Sequence, residues 1–447
     1  MNSSHSLHQV KPRQKKVFWG MVLLLYLYGC TTGTPILTKP TETETPSPIP
    51  TGTVELSTRT PPTTPEPTVT PTLPGVPGNI QAENVTVRCM EPAPELGKDA
   101  VVSGFLMLRP FGMPKPYLLN PKTMAIQELA GDEDGFVEIA VSPQREKFVA
   151  MHVMKELNSE RYEFNSLVVM QSDGKVLKTI PIRDSWDGAE WLNEEQLIFR
   201  LTRYYPGTED MIEPPAHLML DLSSGGIKKL EPTFPFIYNL YSNPSWGYSG
   251  LTRYDPALSR VVYAKLVQDP WETAYVLWNL QTQQPILEIP SETLYSAPQW
   301  TLDGTKFTVV TNLENGVEFL VVTKDGVIET RMTLSDVIPG FSPFSYSWSP
   351  DGRSVALWYF YDTEEDLVKE ERLAIWDTHT GKVTLLCVTG ARVDVRTSPE
   401  PIWSPDGNYL LLENWVVEYT NRISLVDLSN GVLVKIAEDT EMYGWIN

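Results

Sequence analysis

Histidine and cysteine are scarce in this chain, with five and three among 447 residues. His152, His217 and His379 stand far apart in sequence, without the close pairing that marks a zinc site. Positive charge is outnumbered, 36 Lys and Arg against 56 Asp and Glu, and the net charge of −20 disfavours nucleic acid and anionic lipid as partners. The apolar run Val17 to Tyr28 has 12 residues. That is well short of the roughly 20 a bilayer-spanning helix needs. Gly247-Tyr248-Ser249-Gly250-Leu251 lacks the second glycine of a nucleophile elbow. Two acidic runs, Asp132-Glu133-Asp134-Gly135 and Asp362-Thr363-Glu364-Glu365-Asp366, match no EF-hand spacing. These gaps leave no catalytic residue, metal ligand or cofactor motif to name.

What the chain has is aromatic residues in a repeating setting. With 13 Trp, 19 Tyr and 14 Phe it favours strands, and helical apolar spacing is nearly missing beyond Gln81. Tyr346-Ser347-Trp348-Ser349-Pro350-Asp351-Gly352-Arg353 recurs as Pro401-Ile402-Trp403-Ser404-Pro405-Asp406-Gly407-Asn408. In each, an aromatic ends one strand, Pro presets φ, Asp bonds nearby N–H groups and Gly supplies φ > 0 before an apolar strand. The same hairpin can be followed at Trp300, Trp191, Tyr254, Val141 and Trp445, for seven occurrences. A second turn lies further on in each unit, led by Asn120, Gln171, Asp221, Asn279, Thr323, Asp377 and Asp427 at spacings of 51, 50, 58, 44, 54 and 50.

Two tight hairpins per unit of about 50 residues mean four antiparallel strands per unit, the blade of a propeller. The fold expected is all-β, a seven-bladed β-propeller. The first unit, Val101 to Leu129, lacks a Trp-turn strand, whereas Tyr443-Gly444-Trp445-Ile446-Asn447 is such a strand with no blade after it. The C-terminal strand should therefore complete blade one and leave no open end. At these motifs the repeat resembles the TolB-type, WD-repeat-like β-propeller family, whose units carry Trp-Ser-Pro-Asp-Gly. The resemblance spans roughly residues 100–447.

The N-terminal region reads as an address followed by a tether. Lys11, Arg13, Lys15 and Lys16 precede the apolar run, which ends at Leu27-Tyr28-Gly29-Cys30. This resembles the bacterial lipoprotein lipobox, which implies a signal peptide over 1–29, lipid attachment at Cys30 and a mature charge of −24. Residues 31–79 hold 16 Thr and 12 Pro, so no core can form there. As polyproline II at about 3.1 Å per residue, that stalk could reach roughly 150 Å. The propeller domain then occupies 80–447. Cys89 and Cys387 are the remaining thiols, and they either pair in an oxidising compartment or stay free and buried.

Function is expected on long loops over the rigid ring, on the face opposite the tight turns. Glu231 to Gly250 is the most aromatic of them. Tyr204, Tyr205, Phe236, Tyr241, Trp246 and Tyr248 form the candidate ligand rim, suited to stacking on sugar rings or anchoring a peptide. The leading expectation is a monomeric, membrane-anchored binding module on the cell surface, with a protein or glycan ligand. Two alternatives stay open: a carbohydrate-active or peptide-cleaving enzyme using the central funnel, where carboxylates such as Glu190 and Glu400 could serve glycoside cleavage, and a structural cell-envelope protein.

Overall fold

The computed structural model describes residues 84–447 apart from 114, 130–134, 159–160, 182–184, 205–210, 231–251, 267–272, 292–295, 314–315, 334–341, 362–369, 393–398 and 418–419. Seven antiparallel sheets follow one another around a ring. Blade 2 consists of Gly135–Val141, Lys147–Asn158, Arg161–Gln171 and Val176–Pro181. Blade 3 consists of Ser185–Trp191, Gln196–Tyr204, Met211–Asp221 and Ile227–Leu230. Blades 4 to 7 repeat the order, with inner strands Arg253–Tyr254, Gln299–Trp300, Ser342–Trp348 and Ile402–Trp403. In blade 1 the inner strand is the C-terminal Thr440–Ile446, which pairs antiparallel with Phe105–Pro110. The chain end therefore closes the ring as the repeat count requires.

The core is a set of inter-blade layers. Seven apolar clusters lie one at each blade interface, including the 7/1 seam where Tyr409 and Leu411 meet Leu106 and Trp445. This is why second strands read as continuous apolar runs. Phe148 and Ala150 face blade 1 while Val149, Met151 and Val153 face blade 3, so both sides are buried. Fully burying one such side chain is worth about 1.5–3 kcal/mol, and each blade depends on both neighbours for it.

The tight turns explain their motif. Ser349 Oγ donates to Asp351 Oδ1 (2.6 Å) and accepts from Ser354 N (2.9 Å), while Arg353 N donates to Asp351 Oδ1 (3.1 Å). Ser404 and Asp406 repeat this at 2.6 and 2.9 Å, and Thr301 with Asp303 does so in blade 5. Gly352, Gly407 and Gly304 adopt φ of 66°, 72° and 66°. Where the motif has decayed the geometry persists: Arg145 and Leu258 take the glycine position at φ of 65° and 51°. The second turn series works through its leading side chain. Asp377 Oδ1 accepts from His379 N and Thr380 N, and Asp427, Asn120 and Asn279 do the same two and three residues on.

The repeat did not foreshadow a strap. Val85–Arg88 pairs in parallel with the outer strand Val383–Arg392 of blade 6, and Glu91–Ala93 pairs in parallel with the outer strand Val432–Glu438 of blade 7. Those two blades thus have five strands. Between the two pairings a disulfide joins Cys89 to Cys387, with Cα atoms 4.4 Å apart and a sequence separation of 298. Arg88 Nη1 donates to Leu428 O (2.6 Å) and Nη2 to Ser429 O (3.2 Å), fastening the strap to blade 7.

Candidate functional site

The inner strands create the site. Four ring tryptophans donate Nε1 to the carbonyl of the residue before the matching position in the preceding blade. Trp191 bonds Ala140 (2.9 Å), and Trp300, Trp348 and Trp403 bond Arg253, Gln299 and Ser347 (3.2 Å each). The indoles thereby set the spacing between consecutive inner strands. The fifth, Trp445, has its Nε1 buried without a hydrogen-bond partner.

The residue before Trp445, Val141, Trp191, Tyr254, Trp300, Trp348 and Trp403 occupies one shared register position: Gly444, Ala140, Glu190, Arg253, Gln299, Ser347 and Ile402 in blades 1, 2, 3, 4, 5, 6 and 7. Blades 1 and 2 contribute small residues there, and blades 3 to 6 contribute polar ones. A Cβ on Gly444 would lie 3.8 Å from Ile402 Cγ2 and 3.9 Å from Val141 Cγ2, so this glycine sits between its two neighbours' inner strands. On the polar side Arg253 Nε lies 3.9 Å from Glu190 Oε2.

Glu400, two residues ahead of Ile402, joins that cluster. Burial pushes its carboxyl up from the ordinary value, Arg253 and a hydrogen bond from Gln299 oppose the shift, and Glu190 adds to it. By accessible surface, however, Glu400 is an exposed residue. Its desolvation is therefore smaller than that of a fully dry carboxyl. The two glutamates named from sequence are thus brought to one arginine.

A cavity of about 530 Å³ opens beside this cluster on the tight-turn face. Gln299, Ser347, Glu400, Arg145, Trp348 and Trp445 are among its lining residues. Arg145 reaches from blade 2 to blade 7, where Nη2 donates to Trp403 O (3.1 Å), and its Nη1 is buried without a partner. Burial lowers its pKa to about 10, with Asp406 acting against the shift.

The other sequence candidates fall as follows. Tyr204 ends its strand, but its side chain, together with Tyr205, Phe236, Tyr241, Trp246, Tyr248 and Cys30, lies outside the described residues. Most of both acidic runs lies there too. Among the described residues no group of three or more metal-ligating side chains converges. His217 is a buried core residue with Nδ1 3.0 Å from the Tyr254 hydroxyl, and His379 lies in a second-series turn. Sequence reasoning missed Arg145, Arg253 and Gln299. Their shared position before or within the Trp-turn could have singled them out.

No protein-family model matches the chain, and no curated protein matches it. Solved structures similar to it include TolB from Acinetobacter baumannii, at 14% identity and TM-score 0.39, covering 74% of this chain and 79% of that one. The propeller domain of the trilobed protease from Pyrococcus furiosus matches at 12% identity and TM-score 0.38, over 57% and 71% of the two chains. A functionally unknown protein from Desulfotomaculum acetoxidans matches at 10% identity and TM-score 0.45, over 77% and 100%. At such scores no activity carries across, and the seven-bladed propeller rests on the strand pairing itself.

Proposed function

We propose that this protein is an extracytoplasmic lipoprotein of the TolB-type propeller class, held at the cell surface through a lipid on Cys30 and acting as a binding module. The single observation that carries the address is the Cys89–Cys387 disulfide, because such bonds persist in oxidising compartments and are rare in the cytosol. The stalk of residues 31–79 then sets the ring away from the membrane. The binding part follows from a ring closed by the C-terminal strand, on which loops can vary while the blades stay fixed. Its ligand is a protein or glycan, taken at the rim of Tyr204, Tyr205, Phe236, Tyr241, Trp246 and Tyr248. The test is fractionation of Cys30→Ser protein together with glycan and peptide arrays. Retention of this variant in salt-washed membranes overturns the anchor, and unchanged array binding after truncation of the rim aromatics overturns the rim.

A second reading has its own support. Glu190 and Glu400 are brought to one arginine, Arg253, whose guanidinium acts on both carboxylates. A pair of carboxylates flanking one site is what glycoside cleavage requires. In this reading one of the two is the proton donor and the other its partner. Hydrolysis of a glycan panel that disappears in both Glu400→Gln and Glu190→Gln supports it; activity that survives both substitutions removes it.

A further inference from the structure

The strap shows how this ring takes an added strand. Val85–Arg88 and Glu91–Ala93 lie in parallel along the outer strands of blades 6 and 7, and Met90 between them is buried in the 6/7 layer. One outer-strand position recurs in every blade, the residue paired with the one before the second-series leader. It is Ile126, Val176, Ile227, Ile328, Val383 and Leu433 in blades 1, 2, 3, 5, 6 and 7, and Pro285 in blade 4. Beside Val85 of the strap, Val383 is 0% exposed, and Leu433 opposite Pro92 is half-buried. Ile328 is covered within the 4/5 layer, where Ile286 and Leu287 pack. In blades 1, 2 and 3 the same position lies open, with Ile126, Val176 and Ile227 exposed at 65%, 53% and 47%.

The edges of blades 2 and 3 add positive charge. Lys178 and Lys229 pair with Val169 and Leu218, which pack in the 2/3 layer, so both lysines face the outer groove between these blades. Lys175 and Lys228 flank them. Among the described residues none of the four has an ion-pair partner, whereas outer-strand charges of blades 4, 5 and 7 are answered within the chain by Lys265–Glu288, Lys306–Glu329 and Lys435–Glu438. Four unanswered cations on a chain of net charge −20 make a local field that attracts an anionic partner. Edge lysines repel a strand of their own kind and admit an acidic one.

The strap's own cation has a counterpart here. Arg88 Nη2 lies 3.1 Å from where a Cβ on Gly431 would stand, and Lys178 Nζ lies 3.1 Å from the same point on Gly225. Gly431 and Gly225 each stand four residues after their leading aspartates, Asp427 and Asp221, so the two seats are equivalent. A strand arriving at blades 2 and 3 therefore finds that seat filled by the ring's own ammonium. Its complement is a carboxylate where the strap has Arg88.

We propose that the outer edge of blades 2 and 3 docks an extended acidic segment of a partner protein, paired in parallel with Val176–Pro181 and Ile227–Leu230 as the strap is with blades 6 and 7. Main-chain pairing to a free edge supplies affinity, and side chains along it supply selectivity. Here the selectivity comes from carboxylates against Lys178 and Lys229, with an apolar residue covering Ile227. This edge belongs neither to the aromatic rim nor to the channel, so it stands or falls separately from both.

The experiment is fluorescence anisotropy of two labelled peptides titrated with the full chain. The acidic probe is the strap sequence 85–93 carrying Arg88→Glu and Cys89→Ser; the basic one carries Arg88→Lys, Cys89→Ser and Glu91→Lys. The chain's own strap, held by its disulfide, keeps both from blades 6 and 7. The acidic probe should bind about tenfold tighter than the basic one, and at saturation it should slow amide exchange in Val176–Pro181 and Ile227–Leu230. Lys178→Glu combined with Lys229→Glu should reverse the preference at an unchanged melting temperature, and Ile227→Ser should weaken the acidic probe severalfold. Equal affinity for the two probes, no binding of the acidic probe at about 1 mM, or an acid preference that survives the double substitution each overturns the proposal. Two further results overturn it by giving the edge to another occupant: a preference for phosphatidylglycerol over phosphatidylcholine vesicles, or self-association of the full chain, that is lost in the same double variant.

Discussion

Arg109 and Glu441 lock the C-terminal strand into blade 1. Arg109 Nε donates to Glu441 Oε2 at 3.1 Å and to the Tyr443 hydroxyl at 2.8 Å, and Nη2 makes a second contact with the same carboxylate. Burial alone would lower the guanidinium, but Tyr443 and Glu441 outweigh it and hold it raised. Next to this pair, Asn421 of blade 7 grips the strand's start. It donates to Thr440 O (2.6 Å) and accepts from Thr440 N (2.9 Å), while also donating to Glu413 (2.9 Å).

Breaking the Arg109–Glu441 pair from one side leaves a largely enclosed charge unmatched. Arg109→Ala should cost about 3 kcal/mol, the lower end for a buried pair, because the Glu441 side chain keeps 29% exposure. The double variant Arg109→Met with Glu441→Leu should recover most of that loss. Urea unfolding of the three proteins checks it, and equal losses in single and double variants would contradict the pairing.

The disulfide predicts a redox-dependent melting temperature. Cys387→Ser should destabilise by about 2–5 kcal/mol, since the bridge closes a loop of nearly 300 residues and holds the strap on two blades. Calorimetry with and without reductant should show the wild type falling to the variant's melting temperature, and the variant unmoved.

Two turn glycines separate backbone strain from steric clash. Gly304 and Gly381 have φ of 66° and 72°, but a Cβ at Gly304 would lie 2.8 Å from Pro256 Cδ, whereas at Gly381 nothing lies within 4 Å. Gly381→Ala should cost about 1 kcal/mol from the left-handed backbone alone. Gly304→Ala should cost clearly more, and equal costs would show that the blade 4–5 turn contact gives way freely.

The indole ring makes a matched pair of substitutions informative. Trp348→Phe removes a donor that Gln299 O uses at 3.2 Å and should cost about 1 kcal/mol beyond the change in volume. Trp445→Phe removes a donor that nothing uses. Its substitution should therefore cost only the change in volume, with no hydrogen-bond loss added, as read by thermal unfolding.

Acid should loosen the turns. Burial pushes Asp303, Asp377, Asp406 and Asp427 up, but hydrogen bonds from neighbouring hydroxyl and backbone N–H groups outweigh it and hold all four below the ordinary 3.8. A depressed carboxyl stabilises the fold above its unfolded pKa and loses that contribution as pH falls through the folded value. The melting temperature should thus be flat from pH 7 to about 5 on this account, then fall below about 4. Asp406→Asn should flatten part of that fall.

The ring was legible because its rulers are local. Ser349, Asp351 and Gly352 perform their roles within the six residues 349–354, and Asp377 within four, so their repetition could be counted. Val85–Arg88 and Glu91–Ala93 carried no such signal: they are short, polar and paired in parallel with strands some 300 residues away. Arg145 and Leu258 hold φ > 0 without being glycine, so tertiary packing keeps turns that their own sequence had ceased to mark. Glu190 and Glu400 stood out by their place before a Trp-turn. Arg253 did not, because its meaning depends on blades 3, 4 and 7 facing one channel.

The claim on which the rest depends is that the chain is one ring closed by its own C-terminus. Deleting residues 440–447 from the full chain and following thermal unfolding tests it most directly. The account predicts a sharply lowered melting temperature, because the 7/1 and 1/2 layers lose Met442, Trp445 and Ile446 together. A truncated chain that melts at the wild-type temperature would contradict it.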